Sequence, residues 1–222
     1  MELKKAMLQR HSVRQYEEKS LDQGVKEALQ KEIEACNKES GLHIQLVADE
    51  PKAFDSFMAH YGKFSGVTNY IALVGRKGDK LEELCGYYGE RLVLKAQQWG
   101  LNTCWVAMTY KKIPGTFEVK KGEKLTVVLA LGYGKNQGVP HESKAIGAVS
   151  NVSAETPDWF RSGVEAALLA PTAMNQQKFT LHYQSGNVVA KAGMGFYSKI
   201  DLGIVKYHFE IGAGKDHFRW EL

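Results

Sequence analysis

The feature that most constrains this chain is an order of elements that occurs twice. Leu81 to Trp99 reads as a long helix closed by Gly100, and it runs at once into strand-like Thr103 to Met108. A glycine just past the last helical turn supplies the left-handed residue on which helices commonly end. Near the other end, a helix from about residue 200 to 211, then Gly212, then a strand from about His217 to Leu222 repeat that order. Sliding one helix over the other brings Leu92-Val93 onto Ile204-Val205, Trp99 onto Ile211 and Gly100 onto Gly212. What precedes each long helix also corresponds. In the first half Ser20 and Gln23 read as a capping box opening a helix through about residue 36. Alternating Leu42, Ile44 and Leu46 and the run Tyr70 to Val74 then read as strands. In the second half a helix over about 157 to 169 precedes strands at Phe179 to Gln184 and Asn187 to Ala192, joined by a turn at Ser185-Gly186-Asn187. Leu125 to Leu131 adds a buried-looking strand to the first half. The expectation is an α+β fold with mixed or antiparallel strands in a central layer covered by helices. It is built from two related halves, 1–150 and 151–222, that meet in the Gly, Ser, Pro and Asn-containing stretch from Gly138 to Thr156.

At 222 residues, 44% hydrophobic and 24% charged, the chain can build one sizeable core or two small ones. The net charge of +4 is spread over short pairs such as Lys111-Lys112 and Lys120-Lys121. No basic run is interleaved with aromatics, so a nucleic-acid groove is not expected. A modest positive bias suits an anionic ligand such as a phosphorylated cofactor. Three cysteines (Cys36, Cys85 and Cys104) without CxxC spacing favour free thiols in a reducing compartment. The longest apolar run, Val127 to Leu131, is far short of a membrane span, and the first residues lack the apolar stretch of a signal peptide. A cytoplasmic protein without membrane contact is the expectation.

Two short segments carry the chemistry. The first is Arg10-His11-Ser12-Val13-Arg14, following a short helix over Leu3 to Gln9. If it runs extended, Arg10, Ser12 and Arg14 share a side. Two guanidinium forks and a hydroxyl then make a cradle for a dianionic phosphate. The second is Ala170-Pro171-Thr172-Ala173-Met174-Asn175-Gln176-Gln177. It follows a helix that Thr156 caps, Pro157 and Asp158 open and Pro171 stops. Alternating Phe179, Leu181 and Tyr183 follow as a strand, so a polar loop is fixed between helix and strand. Each segment has an ordinary structural explanation, a frayed helix end in one case and a helix-to-strand connection in the other.

Together and in this order, the segments resemble the FMN-dependent nitroreductase family, whose flavin sits between an Arg-x-Ser-x-Arg segment and a Pro-Ser-x-x-Asn-x-Gln segment. In that family both lie early in the chain and normally come from different subunits. Here the second lies far downstream, which resembles a branch whose single chain carries two nitroreductase-like half-domains. Lys178 and Phe179 depart from the Pro-Trp pair usual after the loop. Leu101 to Met108 resembles the family's Gly-Leu-x-Ser-Cys-Trp-x-Gly stretch, which implies that Ala107 and Met108 face the flavin ring. Lys144 resembles a basic residue that assists the phosphate. The resemblance implies cofactor contacts from Arg10, His11, Ser12, Arg14, Pro171, Thr172, Ala173, Asn175, Gln177, Ala107, Met108 and Lys144. It implies one FMN per chain, NADH or NADPH as donor, and a nitroaromatic or quinone-like acceptor. Because the flavin carries that chemistry, no acid–base pair is expected in the sequence.

Other motifs fall short. No Gly-x-Ser-x-Gly occurs, and neither Gly132-Tyr133-Gly134-Lys135 nor Gly212-Ala213-Gly214-Lys215 completes a phosphate-binding loop. The seven histidines lack metal-ligand spacing, so no metal is expected. His182 and His208 read as partners of buried polar groups, and Asp201 as a helix cap. Phe54 to Thr68 reads as a lid. The competing functions are a flavin-binding sensor or carrier without turnover, and an interaction module that has lost the cofactor. Further dimerisation through another surface is compatible with all three.

Overall fold

The computed structural model describes residues 1–221. The chain opens with helix α1 (Leu3–Gln9), as its pattern requires, burying Ala6 and Met7. Residues 10–16 then run alongside another part of the chain: the Val13 amide donates to the Thr103 carbonyl (3.0 Å) and the Tyr16 amide to that of Ser65 (2.9 Å). Buried Tyr16 clamps the segment, its hydroxyl donating to the Val13 carbonyl at 2.7 Å.

Helix α2 (Gln23–Ser40) starts differently from the expected capping box. Asp22 takes the N-cap position without a side-chain bond, and Gln23 donates instead to Glu27 at 2.7 Å. Gln23 is thus the first helical residue and not the third, so it cannot reach back to Ser20. The helix also runs past residue 36, to Gly41 in the left-handed region (φ 71°).

β1 (Gln45–Val47), the short helix α3 (Phe57–Tyr61), β2 (Asn69–Arg76), α4 (Leu81–Gln98), β3 (Asn102–Val106) and β4 (Glu123–Gly132) complete the first half. Its strands form a sheet in the order β1-β2-β4-β3, antiparallel at every step. β3 is therefore an edge, and residues 10–16 lie along it through the bridge of Ser12 to Thr103. Both faces are covered. Ile71, Leu73, Val127 and Leu129 pack toward the helices, while Tyr70, Ala72, Val74 and Val128 pack with Phe54, Ala59 and Phe64 around α3. A bulge between Leu73 and Val74 lets Leu125 join the second group.

The second half contains α5 (Ile146–Val149), α6 (Asp158–Ala167), β5 (Phe179–Gln184), β6 (Asn187–Ala192), α7 (Ser198–Ala213) and β7 (Arg219–Glu221). β5 and β6 match the sequence reading, and their two-residue turn has positive φ at both Ser185 (49°) and Gly186 (89°), the twist that hairpins favour. The last strand was expected to reach Leu222, which lies outside the described residues. Pro157 and not Thr156 holds the N-cap position of α6, because the Thr156 hydroxyl donates to the Ser153 carbonyl at 2.9 Å. β5, β6 and β7 form a sheet of their own, antiparallel then parallel. Two sheets thus stand where one central layer was expected. The physical reason is helical: α4 packs on the first sheet, α7 on the second, and the two helices on each other.

That crossing is close because of two glycines. A methyl on Gly86 would strike the Ile200 carbonyl, and one on Gly203 would strike that of Glu83. Each glycine thus meets the carbonyl three residues before the other. Gly212 proves not to be the matched C-cap. α7 continues to Ala213 and ends at Gly214, and a methyl at Gly212 would strike Ala166 and the Ser162 carbonyl of α6. Gly212 is a packing residue. Among the described residues, no helix is long and apolar enough to cross a membrane.

Candidate functional site

A cavity of about 420 Å³ opens where the halves meet, within the size of ordinary ligand sites, about 300–1,000 Å³. Ser12 and Arg14 form one wall and the end of β3, from Cys104 to Thr109, another. Pro171 to Met174 face them, with Phe196, Tyr197, Ile200, Asp201 and Ile204 closing the base. A broader groove of about 570 Å³ lies between α2 and β1, but it is shallow, and its Lys26 is already paired with Asp49 at 3.6 Å. The deeper cavity where the halves meet is the candidate.

Behind the Ser12 wall lies an unusual buried cluster. Glu90 of α4 and His208 of α7 are fully buried, and Arg10 is nearly so. The Glu90 carboxylate accepts from Trp105 Nε1 and faces His208 Nε2, each at 2.9 Å. The other His208 nitrogen faces the Ala166 carbonyl at 3.2 Å. Arg10 Nε stands 3.8 Å from Glu90, too far for a hydrogen bond, and has no other partner among the described residues. Burial pushes the Arg10 guanidinium below its ordinary pKa, against the pull of Glu90. A buried guanidinium nitrogen left unpaired costs about 1–3 kcal/mol or more, and it adjoins a segment whose Ser12 and Arg14 reach the cavity.

The opposite wall is a strained loop. Met174 (φ 50°), Asn175 (φ 52°) and Gln177 (φ 44°) all adopt left-handed backbone, at about 1 kcal/mol or more each. Side chains hold it there. Asn175 donates to the Glu142 carbonyl (2.9 Å), and Gln177 Nε2 to that carbonyl (2.8 Å) and to Asn175 Oδ1 (2.8 Å). Lys144 Nζ donates to the carbonyls of Gln176 (2.9 Å) and Gln177 (3.0 Å). Asp201 anchors the loop from α7, accepting from the Ala173 amide at 3.0 Å and from Gln176 Nε2 at 2.7 Å. Its expected role as a cap of its own helix is therefore corrected: the carboxylate is spent on the neighbouring loop. Burial pushes its pKa up to about 6, against those two bonds.

A family profile described as "Putative TM nitroreductase" matches residues 2–213. The chain belongs to the nitroreductase family. Among solved structures, a "putative nitroreductase" from Thermotoga maritima is 22% identical and superposes with a TM-score of 0.66, over 97% of this chain and 85% of its own. A nitroreductase family protein from Streptococcus pneumoniae superposes at 0.53 with 12% identity, over 67% of this chain and 98% of its own. A "putative nitroreductase in complex with FMN" from Desulfovibrio desulfuricans does so at 0.51 with 14% identity, over 71% of this chain and 98% of its own. These likenesses establish a shared fold. No curated protein matches the chain.

Of the residues that the nitroreductase resemblance singled out, Ser12, Arg14, Ala107, Met108, Pro171, Thr172 and Ala173 line the cavity. Arg10 lies buried behind it, and half-buried His11 has its pKa lowered by burial and by the neighbouring Arg10 and His141. Asn175, Gln177 and Lys144 brace the loop from outside the lining. Among the histidines, His208 partners a buried group as expected, whereas His182 is exposed, because β5 turns it to the solvent face between Leu181 and Tyr183. Sequence reasoning missed Trp105, Phe196, Tyr197 and Asp201 as cavity residues. Phe196, Tyr197 and Asp201 are brought there by the packing of α7, and Trp105 by its place in β3 beside Glu90 of α4, neither of which a local pattern announces.

Proposed function

We propose that the protein is an FMN-dependent NAD(P)H oxidoreductase of nitroreductase type. The observation that carries this reading is the Ser12–Arg14 wall facing the Pro171–Ala173 loop across a cavity of cofactor size, with the Arg10 Nε buried behind that wall without a hydrogen-bond partner among the described residues. Arg10, His11, Ser12 and Arg14 would hold the flavin phosphate and adjoining polar edge. Pro171, Thr172 and Ala173, with Ala107 and Met108, would border the ribityl chain and ring. Asn175, Gln177 and Lys144 would act by fixing the loop backbone, Lys144 adding positive charge near the phosphate. When bound, FMN supplies the redox chemistry, taking two electrons from NADH or NADPH and passing them to a nitroaromatic or quinone-like acceptor. The protein's part is to hold it, keep one face reachable and exclude bulk water. The family membership and the FMN complex of the Desulfovibrio desulfuricans neighbour support the assignment.

We also read 1–150 and 151–222 as related halves that together compose one site. The repeated order helix, two strands, helix, strand and the reciprocal contacts of Gly86 and Gly203 support that reading. An absorption spectrum of the purified protein, then titration of the cofactor-free form with FMN and with riboflavin, tests the cofactor. FMN should bind about tenfold tighter or better, since each charge-assisted bond to phosphate is worth about 1.5–3 kcal/mol. Equal affinity would remove the phosphate assignment. Flavin-loaded protein that never oxidises NADH or NADPH with any acceptor would be a carrier.

A further inference from the structure

On its Arg14 side the cavity adjoins a second hollow of about 400 Å³, and Arg14, Trp105 and Thr109 border both. Tyr61, Lys63 and Phe64, at the end of α3, form the outer wall. The lining contains two cations and no carboxylate. Among the described residues neither Arg14 nor Lys63 makes an ion pair, while Asp55, the acidic residue just before α3, stands 3.5 Å from His60. Arg14 lies 5.9 Å from the centroid of the Phe64 ring, a cation–π contact that leaves its donors free.

Lys63 stands where the backbone asks for another residue. The Phe64 amide donates to the Ala59 carbonyl (3.0 Å) and the Lys63 amide to that of His60 (2.8 Å). That pair of bonds is the Schellman closure of a helix, whose left-handed position is normally glycine. Here the left-handed residue is Lys63 (φ 62°). Glycine stands one place earlier, at Gly62, where a methyl would meet Thr109 at 2.8 Å. A side chain kept at a strained position beside a cavity points to a use for that side chain.

We propose that this hollow is an anion subsite of the same cavity. It takes the carboxylate or phosphate of the molecule that exchanges electrons there, and Lys63 selects for it, Arg14 being engaged by the cofactor phosphate on the side shared with the main cavity. The inference rests on the flavin reading for what the neighbouring cavity holds. Two sources share the chemistry, an anionic acceptor and the 2′-phosphate of a nicotinamide donor, and non-reacting probes separate them. Benzoate against benzamide reports on the acceptor, and adenosine 2′,5′-bisphosphate against adenosine 5′-monophosphate on the donor, both by calorimetric titration of the FMN-loaded protein.

The more anionic member of at least one pair should bind about five- to tenfold tighter, and which pair does so identifies the source. Lys63→Gly should abolish the preference while holding or raising the unfolding midpoint, because glycine relieves the left-handed strain. Lys63→Arg should keep it. No preference in either pair, or a preference that survives Lys63→Gly, overturns the proposal. FMN uptake is read separately from the flavin absorbance. Protein that stays colourless with FMN sinks the flavin reading, and the probe titration on that protein still decides the subsite.

Discussion

At the residue scale, two carboxylates do opposite things with burial. Among the described residues Glu90 is the only carboxylate facing the guanidinium of Arg10, and it also serves Trp105 and His208. Glu90→Gln keeps the shape and removes the charge, leaving the Arg10 cation uncompensated. Stability should fall by about 3–5 kcal/mol in urea unfolding, and a loss under about 1 kcal/mol would show that Arg10 does not rest on Glu90. Among the described residues Asp201 has no cation partner, and burial raises its pKa from 3.8 to about 6 in the folded chain. Between those values the folded state binds the extra proton, so this group's contribution to stability rises as pH falls from about 7 toward 4. Asp201→Asn does not titrate. The stability of wild type relative to Asp201→Asn should therefore increase on acidification, by a few kcal/mol at most. A difference that stays flat from pH 7.5 to 4.5 would contradict the buried, cation-free placement.

At the element scale, the α4–α7 crossing depends on bare backbone at Gly86 and Gly203. Gly203→Ala places a methyl on the Glu83 carbonyl, part of helix backbone that cannot turn aside. Overpacking of this kind costs about 1–3 kcal/mol or more. Denaturant midpoints should fall accordingly, and adding Gly86→Ala should cost less than its separate effect, since one displacement of the helices serves both. Full additivity would mean that the helices do not separate as units. The crossing also explains which elements the sequence disclosed. α1, β5 and β6 were legible because their boundaries follow from local alternation and turn residues. So were the two lead segments, each contiguous in the chain. The end of α7 was not, since Gly212 looks like a cap and only the presence of α6 against it makes it a packing residue. Ser20 with Gln23 likewise has capping-box spacing, and the competing N-cap at Asp22 displaces it. Asp201 and Trp105 reach the site through contacts between separate elements, Asp201 of α7 with the loop after α6 and Trp105 of β3 with Glu90 of α4, which no periodicity spans.

At the scale of the whole molecule, the question is whether one chain suffices for one site. The cavity takes Ser12, Arg14 and the end of β3 from the first half, and Pro171 to Met174 with the start of α7 from the second. The Arg-x-Ser-x-Arg segment occurs once in the chain, in the first half, and the Pro-Thr-x-x-Asn loop once, in the second. A dimer of identical subunits has two equivalent sites by symmetry. A chain that joins two unlike halves keeps only the site for which both motifs remain. The prediction is one FMN per chain, retained however far the protein is diluted. Light scattering over a dilution series, read together with flavin content per chain, tests it. A constant ratio near one through any dimer-to-monomer transition fits a site completed within the chain. If flavin is lost in step with dissociation, a second chain must supply a wall, and the Pro171–Ala173 loop would have to act across a subunit boundary and not within its own chain.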